Sequence, residues 1–330
     1  MTDPTPAQAV EAPEPTGIVV GVDGSDHGYC ALVWAAREAQ SRKRPLHLIT
    51  AYSVPIFAAS GLDGGFATID DEVIRQGAVE VLEQATARLA GYDVEFDTRV
   101  ERGDASSVLM EASQTAELLV FGSRGRGGFV GRLLGSVSSA LPGHAKCPTV
   151  TVPLNCAPRL GEAAQPDAAP QVEAVVTVGV DGSEQARYAV LVAAEQAQRS
   201  GLALRVICAV PPYTGAMAWL PAPLDRQALF EDIKVQLSAG VAWLTSHFPS
   251  LPITADVLDG PPVEVLVGAS KVSELVVLGT RGHGGFAGMI LGSTTDGTLH
   301  HAKGPVMVVR DHEDPRLADR SSFGPMLGNV

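Results

Sequence analysis

The sequence predicts an α/β protein built as two tandem, doubly wound domains, each a five-stranded parallel sheet with helices on both faces. An internal repeat and the alternation of apolar strand runs with helical patterns inside each copy carry that prediction. GVDGS begins at residue 21 and again at 179, an offset of 158, and the glycine-rich stretch GSRGRGGFVGRLLGS at 122–136 returns as GTRGHGGFAGMILGS at 279–293, an offset of 157. Ten of these fifteen positions are identical and all six glycines recur. The strand runs are continuously apolar, as strands buried on both faces are. Strands that alternate with helices call for right-handed parallel crossovers.

Taken in order, IVVGV is a short buried strand that ends at Asp23-Gly24-Ser25. A helical pattern follows from about 26 to 43, with Ala31, Trp34, Ala35, Glu38 and Ala39 at helical spacing. PLHLITAY is the second strand; a loop with Gly61, Gly64 and Gly65 leads into a helix over 67–90. DVEFDTRV is the third strand, 104–115 a helix and ELLVFG the fourth strand. After the glycine loop come a helix from about 136 to 145 and a fifth strand, PTVTVP. The second copy supplies VVTVGV, LRVICAV, ITADVL, ELVVLG and PVMVVR. Ala51 and Ala209 keep the 158 offset, whereas Gly103 and Gly260 are 157 apart, so one residue changes between 51 and 103, where a surface loop absorbs it. The expected organisation is an N-terminal tail (1–15), a first domain (16–154), an Ala/Pro-rich linker (155–172), a second domain (173–311) and a tail without apolar period (312–330). The apolar fifth strands are expected to pack the halves together about a pseudo-twofold axis, because a sheet edge is normally covered.

A chain of 330 residues can bury a real core in each of two domains. With 45% apolar and 18% charged residues it is globular rather than disordered. The formal net charge of −13 argues against nucleic acid or an anionic membrane as the main partner, so any bound anion must be held by local chemistry. Cys30, Cys147, Cys156 and Cys208 form no C-x-x-C pair and no zinc spacing. Together with an N-terminus that lacks a charged-then-apolar leader, they suggest reduced thiols in a cytoplasmic protein. No apolar run reaches the ~18 residues of a membrane span.

The glycine loops leave the fourth strand of each copy and enter a helix. In open α/β sheets, ligands bind at the carboxyl ends of the strands. A loop with few side chains lets N–H groups converge on an anion, and the helix it feeds presents a positive dipole end. Ser136 and Ser138, with Ser293 and Thr295, sit in the first helical turns, where hydroxyls could reach phosphate oxygens. The bland alternative is a close-packed turn with N-capping serines. No G-x-x-x-x-G-K-[ST] is present, and the G-x-G-x-x-A formed by residues 282–287 follows the wrong strand for a dinucleotide fingerprint.

The spacing G-x2-G-x9-G-[ST] fits Gly122, Gly125, Gly135 and Ser136, and again Gly279, Gly282, Gly292 and Ser293. With a V-D-G-S turn after the first strand, both halves resemble the universal stress protein family, in its ATP-binding, tandem two-domain form. The resemblance implies the adenine-nucleotide α-hydrolase-like strand order 3-2-1-4-5 and ATP, with Mg²⁺, across the strand ends. It places Asp23 and Asp181 at the ribose or a phosphate-bound metal, with Gly21, Val22, Gly179 and Val180 also among the nucleotide-binding residues. Ala51 and Ala209 would meet adenine, and Gly103 and Gly260 would lie near the ribose. Gly122, Arg124, Gly125, Gly135, Ser136, Val137 and Ser138 would hold the phosphates of one site. Gly279, Arg281, Gly282, Gly292, Ser293, Thr294 and Thr295 would hold those of the other.

Other roles stay open for several of these residues. Asp23 could cap its turn, Ser25 and Ser183 suit helix N-caps, and Arg124 and Arg281 could reach phosphate or only solvent. The His-Ala-Lys runs at 144–146 and 301–303 suit helix C-termini, and His283 has no second ligand at metal spacing. Ser139 aligns with Asp296 and Arg132 with Met289, which would make the second site less positive. The functional expectation is a nucleotide-dependent regulator of stress response or growth, with a homodimer and a regulatory protein as possible partners. The alternatives are a slow ATPase, for which Asp23 or Asp181 would have to act as base, and a dimerisation scaffold with vestigial sites.

Overall fold

The computed structural model describes residues 17–54, 70–126, 134–160, 173–212, 225–282 and 290–318. In the first half, β1 (Ile18–Gly21), β2 (Leu46–Tyr52), β3 (Phe96–Arg102), β4 (Leu118–Gly122) and β5 (Thr149–Val152) alternate with α1 (Asp26–Arg42), α2 (Asp71–Ala87), α3 (Ala105–Ala112) and α4 (Ser136–His144). The second half repeats the series with β6 (Glu173–Val180), β7 (Ala203–Val210), β8 (Ile253–Asp259), β9 (Ser273–Gly279) and β10 (Val306–Val309), and α5 (Glu184–Ser200), α6 (Arg226–His247), α7 (Pro262–Ser270) and α8 (Ser293–His301). Each half carries its strands in parallel in the expected order 3-2-1-4-5. The two five-stranded sheets then join edge to edge as one ten-stranded sheet, β3-β2-β1-β4-β5-β10-β9-β6-β7-β8.

The join is an antiparallel pairing of β5 with β10, in which Thr151, Val150 and Thr149 face Val306, Met307 and Val308. Both strands are buried throughout. An apolar strand left at an edge is a template for aggregation, and here each half covers the other's. On one face of the sheet, a core of Ile18, Val20, Leu32, Leu48, Val178, Leu191, Leu204 and Met307 runs across both halves beneath α1, α2, α5 and α6. On the opposite face, Val19, Leu119 and Phe121 pack under α3 and α4, and Val276, Leu278, Val306 and Val308 under α7 and α8. Alternation along β1 sends Val19 to one face and Ile18 and Val20 to the other, as the two-residue period requires.

Where α1 meets α5, Glu38 and Gln196 occupy equivalent positions of the repeat and face each other, 6% and 4% exposed. The Gln196 amide donates to Glu38 Oε2 at 2.7 Å, and Arg42 and Arg199 donate to Gln196 Oε1 at 3.1 and 2.8 Å. A buried carboxylate is tolerable only when paired in this way. Two glutamates here would have set charge against charge.

Local signals begin and end the helices. Ser25 accepts from the Gly28 N–H at 3.1 Å and Ser183 from the Ala186 N–H at 3.2 Å, each as an N-cap. Lys43 (φ 54°) and Gly201 (φ 67°) close α1 and α5 in the left-handed region. The expected helix over 67–90 appears as Asp71–Ala87, with 67–69 outside the described residues. A 3-10 turn occupies Leu154–Leu160, with Cys156 buried. Part of the stretch expected as a loose tail is tied down: Arg316 donates to Asp314 and to Glu195 of α5 (2.7 Å), and Leu317 packs against the shared core.

Candidate functional site

The carboxyl ends of β1, β2 and β4, with the first turn of α4, enclose a cavity of about 370 Å³ in the first half. That is within the size range of small-molecule sites. Gly21, Val22, Asp23, Ala51, Gly122, Arg124, Gly125, Gly135, Ser136, Val137 and Ser138 all line it. Among the residues expected at this site, Gly103 is the exception. Its N–H bonds Tyr52 O at 2.8 Å, and Ala105 takes its place in the wall. Ile49, Leu109, Phe121 and Leu134 add an apolar side that the motif did not indicate.

Two kinds of glycine build the site. A Cβ on Gly122 would come within 2.6–2.8 Å of the backbone and Cβ of His27, and one on Gly21 within 2.8 Å of Leu109. A Cβ on Gly125 would come within 2.5 Å of the Asp23 carboxylate. At these three positions glycine allows elements to approach closely. Gly135 differs. Its backbone is ordinary (φ −80°, ψ 171°), and the nearest atom to an added Cβ is 3.5 Å away. Neither strain nor packing requires a glycine there, so the space it leaves belongs to the cavity. The second half repeats the division. Gly179 packs against Leu278 and Leu266, Gly279 against Gln185 and Gly282 against the Asp181 carboxylate, while a Cβ added to Gly292 (φ −73°) would lie 3.3 Å from Arg281 Cα, a tighter fit than at Gly135.

Gly135 and Gly292 are the N-caps of α4 and α8 and offer no side chain to the helix end. Their own N–H groups bond Ser123 O at 2.9 Å and Thr280 O at 2.8 Å. The first intrahelical bonds are made by Ser139 and Asp296. The N–H groups of Ser136, Val137 and Ser138, and of Ser293, Thr294 and Thr295, therefore have no intrahelical acceptor. They lie at the positive end of the helix dipole. This is the donor set that a phosphate or another anion accepts from.

Not every hydroxyl is aimed as expected. Ser138 is buried, and its Oγ donates to Ser123 O (2.7 Å) while accepting from the Gly135 N–H (3.0 Å). Thr295 Oγ1 likewise donates to Gly279 O at 2.8 Å. These side chains brace the loop, leaving their N–H groups and the Ser136 side chain, which is exposed, on the ligand side. Asp23 is also engaged. Its Oδ1 accepts from the N–H (3.1 Å) and Oγ (2.6 Å) of Ser25, and its Oδ2 from the Arg126 N–H (2.7 Å). It thus pins the glycine loop to the end of β1. Asp181 accepts from Ser183 N at 3.0 Å in the same way. Val22 spends its N–H on Ile49 O (2.9 Å) and its carbonyl on the Thr50 hydroxyl (2.7 Å). In the second half, Val180 and Ala209 are half-buried, and Gly260 (φ 146°) bonds Val210 O at 3.0 Å. Arg124 and Arg281 are exposed beside their loops.

The expected contrast between the sites changes in detail. The Asp296 carboxylate is half-exposed beside His300 Nδ1 at 3.6 Å, rather than committed to the helix axis. Arg132, Met289 and His283 lie outside the described residues. A different asymmetry is visible. His27 starts α1 against Gly122, where the second half has Gln185 against Gly279. Burial first, then the Arg124 charge, lowers the His27 pKa from its ordinary value, while Asp23 and Asp26 oppose the shift. The difference between the copies hid this histidine from a comparison of matched residues. In the repeated His-Ala-Lys runs, His144 bonds Ala140 O at 2.8 Å within its helix, and the N–H groups of Lys146 and Lys303 bond the Ser113 and Ser270 hydroxyls; beside the second run, His300 bonds Asp296 O at 2.8 Å.

The sequence matches the Universal stress protein family over residues 16–153 and 174–310. The chain belongs to that family. A universal stress protein of Mycobacterium tuberculosis is 36% identical over 313 residues, covering 89% of this chain and 96% of the relative. The crystal structure of a universal stress protein from Archaeoglobus fulgidus covers 91% of this chain and 98% of its own, at 18% identity and a TM-score of 0.61. It shares the fold. A universal stress protein solved in complex with cAMP aligns with 43% of this chain, at 26% identity and a TM-score of 0.33. No helix among the described residues is long and apolar enough to cross a membrane.

Proposed function

We propose that this universal stress protein binds ATP, one molecule per half, and acts as a nucleotide-dependent regulator rather than as an enzyme. The observation that carries the proposal is the pairing, in both halves, of three N–H groups without intrahelical acceptors with an N-cap glycine of ordinary φ, which at Gly135 no protein neighbour requires. The phosphates would lie on Ser136–Ser138 and Ser293–Thr295, with Arg124 and Arg281 at the rim. The adenosine would lie along Ala51 and Ile49 in the first half, where the cavity is apolar, and along Ala209 in the second. Mg²⁺, when bound, would offset phosphate charge; Asp23 and Asp181 are the carboxylates beside the loops. Asp23 already accepts three hydrogen bonds from Ser25 and Arg126, which favours a loop-holding role over that of a general base.

Regulation would follow from occupancy changing the loop surface offered to a protein partner, in a cytoplasmic setting. Native mass spectrometry of the purified chain with Mg²⁺ and ATP tests the proposal. Adducts of one and two ATP are expected, with GTP weaker and cAMP, which has no polyphosphate for the second and third N–H groups, weaker still. A chain that takes up cAMP but not ATP would overturn it.

A further inference from the structure

The two cradles end in one apolar cluster. Leu134, the residue before the N-cap of α4, lines the first cavity. It is 5% exposed, yet the cluster that buries it belongs to the other half: Ile207, Leu266, Val276, Leu278, Leu299 and Val306. Its repeat equivalent, Leu291, precedes the N-cap of α8 and packs against the same cluster. A second crossing runs the other way. Ile290 reaches the last turn of α4 in the first half, where its Cγ2 is 2.7 Å from the position a Cβ on Gly143 would take. Gly143 is buried and its equivalent in α8 is His300, so a bare backbone admits Ile290 at this point.

We propose that each ligand site is braced by the opposite half through these contacts: Leu134 and Ile290 anchor their own cradles on the other half, and Gly143, in the first half, is a positioning residue for the second cradle. The inference rests on the ATP reading above for its ligand, though not for its packing. Gly135 follows Leu134 directly, and Gly292 lies two residues after Ile290, so a shift of either anchor moves the cap of a phosphate-binding helix. Leu134 sits in a close-packed interior, which passes such shifts on rather than absorbing them; Ile290 is 49% exposed, and its contact with α4 is what holds its inner side.

The test uses the full chain. Gly143→Ala adds one methyl in a helix, which favours the helix by propensity, and that methyl must displace Ile290. Calorimetric titration with Mg-ATP, in backgrounds where Gly135→Val or Gly292→Val leaves a single site, should show second-site affinity lowered about fivefold, at the lower end of usual couplings. First-site affinity should stay within about twofold. Adding Ile290→Ala should restore the second site, because the methyl then has room. Equal losses at both sites, no loss, or no restoration would each overturn this cross-half positioning. Hydrogen exchange of the ligand-free protein supplies a readout independent of ATP. Amides of residues 296–299, the first in α8 with intrahelical acceptors, should exchange faster in Gly143→Ala and return to the parent rate with Ile290→Ala. Unchanged exchange there would sink the packing claim even if ATP binds, whereas a parent chain that binds no ATP but shows the exchange effect would sink only the ATP reading.

Discussion

One added methyl group should have opposite consequences at two glycines of the same loop. At Gly122 an alanine Cβ would sit 2.6 Å from the His27 carbonyl carbon and 2.7 Å from its oxygen. Both are backbone atoms of the first turn of α1 and cannot rotate away, so α1 must move off β4. Overpacking of that kind costs about 1–3 kcal/mol. At Gly135 the nearest atoms are 3.5–3.7 Å away and φ is −80°. The entropy gained from removing a glycine, about 0.4–1 kcal/mol, is offset by the preference of N-caps for glycine over alanine. The net change in stability should fall within about 0.5 kcal/mol. Ligand binding should invert the order, because the Gly135 methyl projects into the cavity beside the N–H groups of residues 136–138. Urea unfolding of the full-length variants, alongside calorimetry with Mg-ATP, measures both effects. If Gly135→Ala loses as much stability as Gly122→Ala, or keeps its ATP affinity, the division into packing and cavity glycines is wrong.

Further outcomes follow from the same structure. Gln196→Glu replaces the amide that donates to Glu38, and should cost about 1–3 kcal/mol through a buried, unmade hydrogen bond; Glu38→Gln combined with Gln196→Glu should recover most of it in chemical unfolding, and a double variant as unstable as the single would contradict the pairing. His27 is harder to protonate folded than unfolded, so stability should fall as pH drops through and below 6.5. His27→Gln, which copies Gln185, should flatten that part of the pH–stability curve, and an unchanged slope would remove His27 as its source. Burial pushes the Cys147 thiol up to about 12 and the Cys208 thiol up to about 11. Neither should react with a thiol reagent at pH 8, and stability should decline above about pH 9 as the unfolded thiols ionise first; rapid labelling of the native protein would refute this.

Much of the fold was legible because it repeats. The continuously apolar strands announced parallel sheets, and the apolar fifth strands pointed to the seam that β5 and β10 form. The glycine loop was legible as a unit, but the sequence alone could not sort its glycines. Gly122 and Gly135 look alike until His27 is seen against one and open cavity beside the other. Ser138 and Thr295 looked like ligand hydroxyls because they fall in the first helical turn. Whether such a hydroxyl turns inward depends on an acceptor, Ser123 O or Gly279 O, that only the folded loop supplies. Long-range placement was the least accessible feature. Nothing in a helical or strand period says that Leu134 leaves its own domain, or that Glu38 will meet Gln196 on α5.

The central claim is that each half holds one ATP on the N-terminus of the helix after its glycine loop. Calorimetric titration of the full chain with Mg-ATP, repeated for Gly135→Val and Gly292→Val variants that keep the parent circular dichroism, tests it most directly. The account predicts two ATP per chain for the parent and one for each variant; no heat for the parent, or two sites persisting in either variant, would contradict it.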